Sequence, residues 1–307
     1  KRTITMATKK KTTAKKTATK KADVEKASTL PATTTGEDTE LAILSSGIDI
    51  GEDSNSGLEG ADQDSYAIPI IRVLQPMSPQ VNEADGEFIE GARAGMLFNT
   101  ATSALLNPKE EDVHFLPCAF QRRYIRWAPR GSDGSSYRGE SLPEEVNAMR
   151  KAEEIVESDG RLYFLDDEGE FVSDKKNDRC VDTRSHYGIL VTEGGASPVL
   201  FPLSSTQVKK SKRLMSLLSA ARIRRDGRLI TPPTWLNKIR VGTVAESNDE
   251  GNWFGVKFEP NGFIEDPDLY AMGKEFHHLV TSGGVNANYA AAEEAGDDDE
   301  EGKEKQF

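Results

Sequence analysis

Cysteine is scarce in this chain: 307 residues contain two, Cys118 and Cys180. Two thiols build no disulfide framework, and the expectation is a reducing, cytoplasmic compartment. Long apolar runs are missing too. None approaches the roughly 20 residues that a membrane-spanning helix needs. The first residues lack the apolar stretch of a secretory signal. Met6, followed by Ala-Thr-Lys-Lys-Lys, reads as a natural start, which sets residues 1–5 aside. Aromatics are few, at 7%, and both ends almost lack them. Residues 1–64 and 290–307 therefore have little with which to build a core and are expected to be disordered tails. Residues 65–289 hold all three Trp and are expected to fold as one elaborated domain.

Catalytic signatures are also missing. There is no Gly-rich loop ending in Lys-Ser/Thr, no dinucleotide fingerprint and no nucleophile-elbow serine. The carboxylates lie mostly in charge runs, which suit solvated faces better than a two-metal centre. The expectation is a protein that is not an enzyme and needs no cofactor. His114, Cys118, Cys180 and His186 are residue types that zinc takes as ligands. Their spacing lacks the short knuckle of a zinc site, so packed thiols and ordinary histidines are the plainer reading, and no metal is expected.

What is present is charge in blocks. The net charge is -12. The first thirty residues are nevertheless Lys-rich, the following linker is acidic, the middle carries basic clusters and the end is acidic again. Such alternation suits an interaction protein with tails.

The periodicity predicts many short strands and two or three helices. A strand is expected near Met96–Asn99, and the strongest one runs through "HFLPCAFQRRYIRW". "GSDGSSYRGESLPEE" reads as a loop and "PEEVNAMRKAEEIVE" as a short helix. "GRLYFLDD" and "GEFVSD" read as strands, and "SHYGILVTEGGASPVLFPLS" as a hairpin. The best helix starts at a Ser204 or Ser205 cap and runs to a Gly227 stop. Two strands follow around a polar turn at Asn248–Gly251. The last helix begins at Asp266 and Pro267, with Leu269, Met272, Phe276, Leu279 and Val280 on one face. The fold class is therefore mainly β with α insertions (α+β). The expected form is an OB-like small β-barrel with a basic helix and a C-terminal helix, flanked by the tails.

Two clusters combine basic and aromatic residues. In "FQRRYIRW", Arg122, Arg123 and Arg126 stand beside Tyr124 and Trp127. Strand alternation puts Tyr124 and Arg126 on one face and Arg123, Ile125 and Trp127 on the other. Aromatic rings that stack on unpaired bases, with cations that follow phosphates, make a single-strand binding surface. Core packing is the plainer reading of the two rings taken alone. The second cluster holds Lys209, Lys210, Lys212, Arg213, Arg222, Arg224, Arg225 and Arg228, with Asp226 as its only acid. Exposed helices in an acidic protein normally mix both signs, so a one-signed helix points to an anionic partner. Trp235, Lys238 and Arg240 in "WLNKIRV", and Trp253 in "NWFGVKFE", add to it.

On "FQRRYIRW", "WLNKIRV", "STQVKKSKRL" and the closing "DDDEEGKEKQF", the chain resembles phage-encoded single-stranded-DNA-binding proteins of the OB-fold type. The resemblance implies single-stranded DNA as ligand and a role in phage DNA replication, recombination and repair. It also implies recruitment of replication proteins through a tail of Asp297, Asp298, Asp299, Glu300, Glu301 and Phe307. The chain departs from a minimal member in its Lys-rich arm, its acidic linker and an insertion near residues 144–178. Lys303 and Lys305 also interrupt the tail's negative charge. The alternatives are a phage structural or DNA-packaging protein and a single-strand annealing protein. A homo-oligomer is compatible with each, and no membrane partner is expected.

Overall fold

Among the described residues, strands alternate with three α-helices in chain order. They are β1 (Ile71–Val73), β2 (Leu97–Asn99), β3 (Leu105–Leu106), β4 (His114–Trp127), β5 (Tyr137–Ser141), α1 (Pro143–Lys151), β6 (Ile155–Ser158), β7 (Arg161–Phe164), β8 (Arg179–Thr192), β9 (Gly195–Leu203), α2 (Val208–Ala220), β10 (Ile223–Arg225), β11 (Arg228–Ile230), β12 (Asn237–Asn248), β13 (Gly251–Phe263) and α3 (Pro267–Thr281). This computed structural model describes residues 68–289, except 130, 131, 133–135, 249, 250, 286 and 288. All of them fall in one compact unit, Gly51–Phe307. The tails expected over 1–64 and 290–307 lie outside the described residues.

Strands β4 and β8 pair along their whole length, from His114↔Val191 to Trp127↔Arg179. A bulge between Pro117 and Ala119 divides this ribbon. It suits a proline, which has no N–H to give to a ladder. Above the bulge β12 pairs with β4 and β13 with β12, while β9 pairs with β8 from Arg184 to Thr192, past the bulge. Below it β5 pairs with β4, while β7 and β6 extend from β8. Two five-stranded half-sheets thus share one ribbon.

A segment after the first described residues spans the two free edges of the upper half. Leu200 N on β9 donates to Pro69 O (2.9 Å). The Gln75 side-chain amide then pairs with β13 as a strand would. Its Oε1 accepts from Phe254 N (2.8 Å) and its Nε2 donates to Phe254 O (2.9 Å). Gln207 Oε1 accepts from Val256 N two residues on (3.2 Å). In the same alternation Pro260 offers no N–H at all. These contacts occupy the β13 edge at Phe254 and Val256, where a further strand would add. A side-chain amide bridges this edge, not a ladder, and among the described residues the strands do not close into a barrel.

Opposite faces of the upper half-sheet bury different helices, as the period of two demands. Val113, Phe115, Val241, Val256 and Phe258 pack with Leu214 and Leu218 of α2. Leu116, Cys118, Ile189 and Leu200 pack with Phe276 and Val280 of α3. Each such buried leucine or phenylalanine contributes about 1.5–3 kcal/mol. Gly188 sits where β8 crosses β4, and a Cβ there would lie 2.3 Å from Leu116 O. The lower half packs Ile155, Phe164 and Cys180 on Val146 of α1.

The class is mainly β with a few helices, an α+β arrangement. Five local expectations need correction. "GRLYFLDD" is a strand, but "GEFVSD" is irregular; buried Asn177 accepts from Val172 N and Ser173 N and donates to Phe164 O and Glu170 O, holding that loop. Residues 137–141 form strand β5, not a loop. The helix expected through Glu157 ends at Lys151, and Ile155 begins β6. Helix α2 starts after Gln207 with no side-chain cap from Ser204 or Ser205 and ends at Ala220, and Gly227 belongs to a hairpin turn instead. Met272 is 37% exposed, and Gly273 takes its place on the buried face of α3. The Asp266 cap is as expected, its carboxylate accepting from Asp268 N and Leu269 N.

Candidate nucleic-acid interface

The arginines of β4 are all matched by acids. The register places Arg122, Tyr124 and Arg126 opposite Arg184, Asp182 and Cys180, on one face. Arg122 Nε and Nη2 donate to the two Asp182 oxygens, each at 2.8 Å, and Nη2 also donates to Tyr124 OH at 2.8 Å. That fork is the strong planar geometry of guanidinium and carboxylate. The hydrogen bond to Asp182 is the main cause that raises the Arg122 pKa. Arg126 Nε donates to Asp178 Oδ2 at 2.6 Å, with its guanidinium 4.3 Å from the Phe164 ring centre. On the opposite face Arg123 lies 3.5 Å from Glu140.

The two rings predicted to bind on this strand are packed, whereas Phe120 is exposed. Tyr124 joins the cluster around Val146 and Cys180. Trp127 meets Tyr137 edge-on at 6.0 Å and lies against the α3 side of the core. Trp235, in a single 3-10 turn before β12, faces α3. It lies 4.8 Å from His277 and 6.3 Å from Tyr270, and Gly273 admits its Cβ at 2.9 Å from where a side chain would start.

The second cluster is built differently. On α2, Lys209, Lys212 and Arg213 are exposed, at the i, i+3 and i+4 spacing that makes one stripe. Leu214 and Leu218 hold the opposite side in the core. The first turn has no acid, so the positive end of the helix dipole adds to the stripe. His186, behind the helix, hydrogen-bonds Ser211 Oγ at 2.8 Å, and burial pushes its pKa down to about 3. The helix is therefore anchored by a neutral imidazole. Among the described residues, Lys209, Lys212, Arg222 and Arg228 form no ion pair with a carboxylate. Lys210 does, at 2.5 Å from Glu246.

Glu246 also accepts from Trp253 Nε1 at 3.2 Å. Trp253 is half-buried, on the same side of the β12–β13 ribbon as Arg240, Lys257 and Glu259. Of the predicted rings, it is the one tied to the basic helix. The carboxyl of Glu259 is held below its ordinary range, first by a hydrogen bond from Lys257 and then by Arg240 and Arg213. Arg240 also meets Asp112 at 3.1 Å. Lys238 is half-buried and, with burial as the larger cause, keeps the His114 pKa low.

Arg222, Arg224, Arg225 and Arg228 lie beyond the helix end. Arg222 Nη1 donates to Ser219 O and Ala221 O, capping it. The rest form hairpin β10–β11, with Asp226 and Gly227 as the central turn residues, both left-handed at φ 51° and 78°. The signal was present in the sequence: Asp-Gly between two short alternating runs is the favoured two-residue hairpin turn. Exposed Leu229 and Ile230 also belong to this arm and carried no sequence flag.

The four candidate metal ligands are not gathered. His114 bonds Asn261, His186 bonds Ser211, and Cys118 and Cys180 sit in separate cores. Burial pushes the thiols up to about 12 and about 11. The tail residues Asp297, Asp298, Asp299, Glu300, Glu301 and Phe307 lie outside the described residues.

Fold and surface together define an α+β protein with one compensated and one uncompensated basic surface. The family model of Pam3 phage gp34-like proteins matches residues 37–286, and the chain belongs to that family, which makes it a bacteriophage protein. No curated protein and no solved structure matches it. No helix among the described residues is long and apolar enough to cross a membrane.

Proposed function

We propose that this protein is a non-enzymatic, largely sequence-independent single-stranded-DNA-binding protein of phage replication and recombination, acting in the host cytoplasm. The observation that carries the reading is the row of exposed cations from Lys209 to Arg228, on a chain of net charge -12. Lys210 and Arg225 in this row meet carboxylates; its other cations are poised to exchange small ions for phosphates, and the released counterions drive binding. Trp253 is the ring placed to stack on a base, at about 1–3 kcal/mol for such a contact. Tyr124, Trp127 and Trp235 serve packing. Arg122, Arg123 and Arg126 reach phosphates only by leaving Asp182, Glu140 and Asp178. An OB-like reading draws on the upper half-sheet, whose two free edges meet the segment around Ile70 and Gln75.

The acidic tail acts as a competitor for the basic row and presents Phe307 to replication proteins. Deleting residues 293–307 should tighten DNA binding and weaken partner capture; no change in either removes the tail from the mechanism. The main test is titration with oligo-dT and matched duplex, followed by Trp fluorescence at several salt concentrations. Quenching with a steep salt slope on oligo-dT, and weak binding to duplex, is expected. Equal affinity for both, without a Trp response, contradicts single-strand binding.

A further inference from the structure

We propose that the β10–β11 hairpin is an arm that inserts Leu229 between stacked bases of the bound strand. This rests on the nucleic-acid reading above and adds a second mode of base contact to it. The two strands form their own sheet, and every residue of it except Ile223 is exposed. Leu229 is 63% exposed. Its cross-strand neighbour on the same face is Arg224, and Arg225 and Arg228 pair on the other face. The lone acid, Asp226, sits at the turn, 3.8 Å from Arg225.

This composition selects the occupant. An apolar pocket in a protein would take Leu229 but leave the surrounding guanidiniums without counter-charges. A DNA strand offers both chemistries in one ligand: apolar base faces for the leucine and phosphates for the arginines. Guanidinium planes also stack on bases. Apolar side chains wedged between base steps are an established way to unstack nucleic acid. The arm is held for that task at its root. Arg222 caps the end of α2 on one side, and buried Pro232 follows on the other. The two-residue turn keeps the ribbon from splaying.

The test uses the full chain and a single-stranded oligonucleotide with one 2-aminopurine between purines, whose fluorescence rises when it unstacks. Wild type should raise that signal severalfold at saturation. Leu229→Ser should lose most of the rise, while the salt slope on oligo-dT, which the phosphate contacts set, stays as in wild type. Leu229→Met should keep the rise. Tight binding without a rise, or an equal rise in Leu229→Ser, overturns the wedge and leaves DNA binding intact. No binding of any oligonucleotide by wild type overturns both.

Discussion

Arg122, Arg123 and Arg126 each face a carboxylate, whereas Lys209, Lys212, Arg222 and Arg228 face none among the described residues. The two stretches resemble each other as strings of letters. They differ in what the fold brings to them. Strand β4 runs through the middle of the sheet, so β5, β8 and the turn before β8 deliver acids to it. Helix α2 and its hairpin lie at the surface, and their outer side meets solvent. A basic cluster inside a sheet is thus a structural ion-pair network, and one on an outward face is a surface held ready for an anion.

The largest effect expected from this contrast is on binding. Replacing Lys209, Lys212, Arg213 and Arg228 together by Ala should weaken oligo-dT binding on the order of 100-fold. It should also flatten the log–log salt slope by about 3, at about 0.7 per lost phosphate contact on a single strand. The melting temperature should barely move, because these side chains are exposed. Titrations at several salt concentrations and a thermal scan check both halves. On the other region the pattern should invert. Asp182→Ala frees Arg122 and part of Arg184, and should cost about 1–2 kcal/mol in denaturant unfolding, between a surface pair and a buried one. DNA affinity should stay within about twofold, since no element of the outer stripe moves.

The anchor of α2 predicts a pH effect of similar size. His186 titrates near 6.5 when unfolded and is pushed down to about 3 by burial when folded. Between those values the unfolded chain holds the extra proton. Stability is therefore full above about pH 6.5 and declines as pH falls toward 3. From pH 6.5 to 5 the loss should approach about 2 kcal/mol, at 1.36 kcal/mol per unit. His114, also lowered by burial, acts in the same direction. His186→Gln should be less stable at pH 7.5 but have a flatter profile; urea unfolding at pH 7.5, 6 and 5 distinguishes the slopes. The smallest effect belongs to the half-buried ring. Trp253→Ala should cost about 1 kcal/mol of oligo-dT affinity, the lower end for base stacking. Trp253→Phe should remove most of the fluorescence quenching, while Trp127→Phe and Trp235→Phe should retain it.

Local signals were readable along the chain. The alternation of β4, the β8–β9 hairpin, the paired β12 and β13 and the Asp266-Pro267 helix start all follow from short-range chemistry. The boundary of α2 did not, because Gly227 fits both a helix stop and an Asp-Gly turn. The turn was favoured once Arg224 and Leu229 could pair across it. The pairing of the β4 arginines was out of reach of any local pattern. Asp182 is 60 residues from Arg122, and Asp178 is 52 from Arg126. The sequence shows cations beside aromatics in both clusters, and only tertiary register separates neutralised charge from available charge. The Gln75 bridge to Phe254, across 179 residues, is long-range in the same way.

Photo-cross-linking of the full chain to oligo-dT, followed by peptide mass mapping, tests most directly which region holds DNA. Adducts are expected in peptides spanning residues 209–228 and on the peptide that contains Trp253. Adducts confined to residues 121–127 would contradict the assignment of the helix–hairpin face.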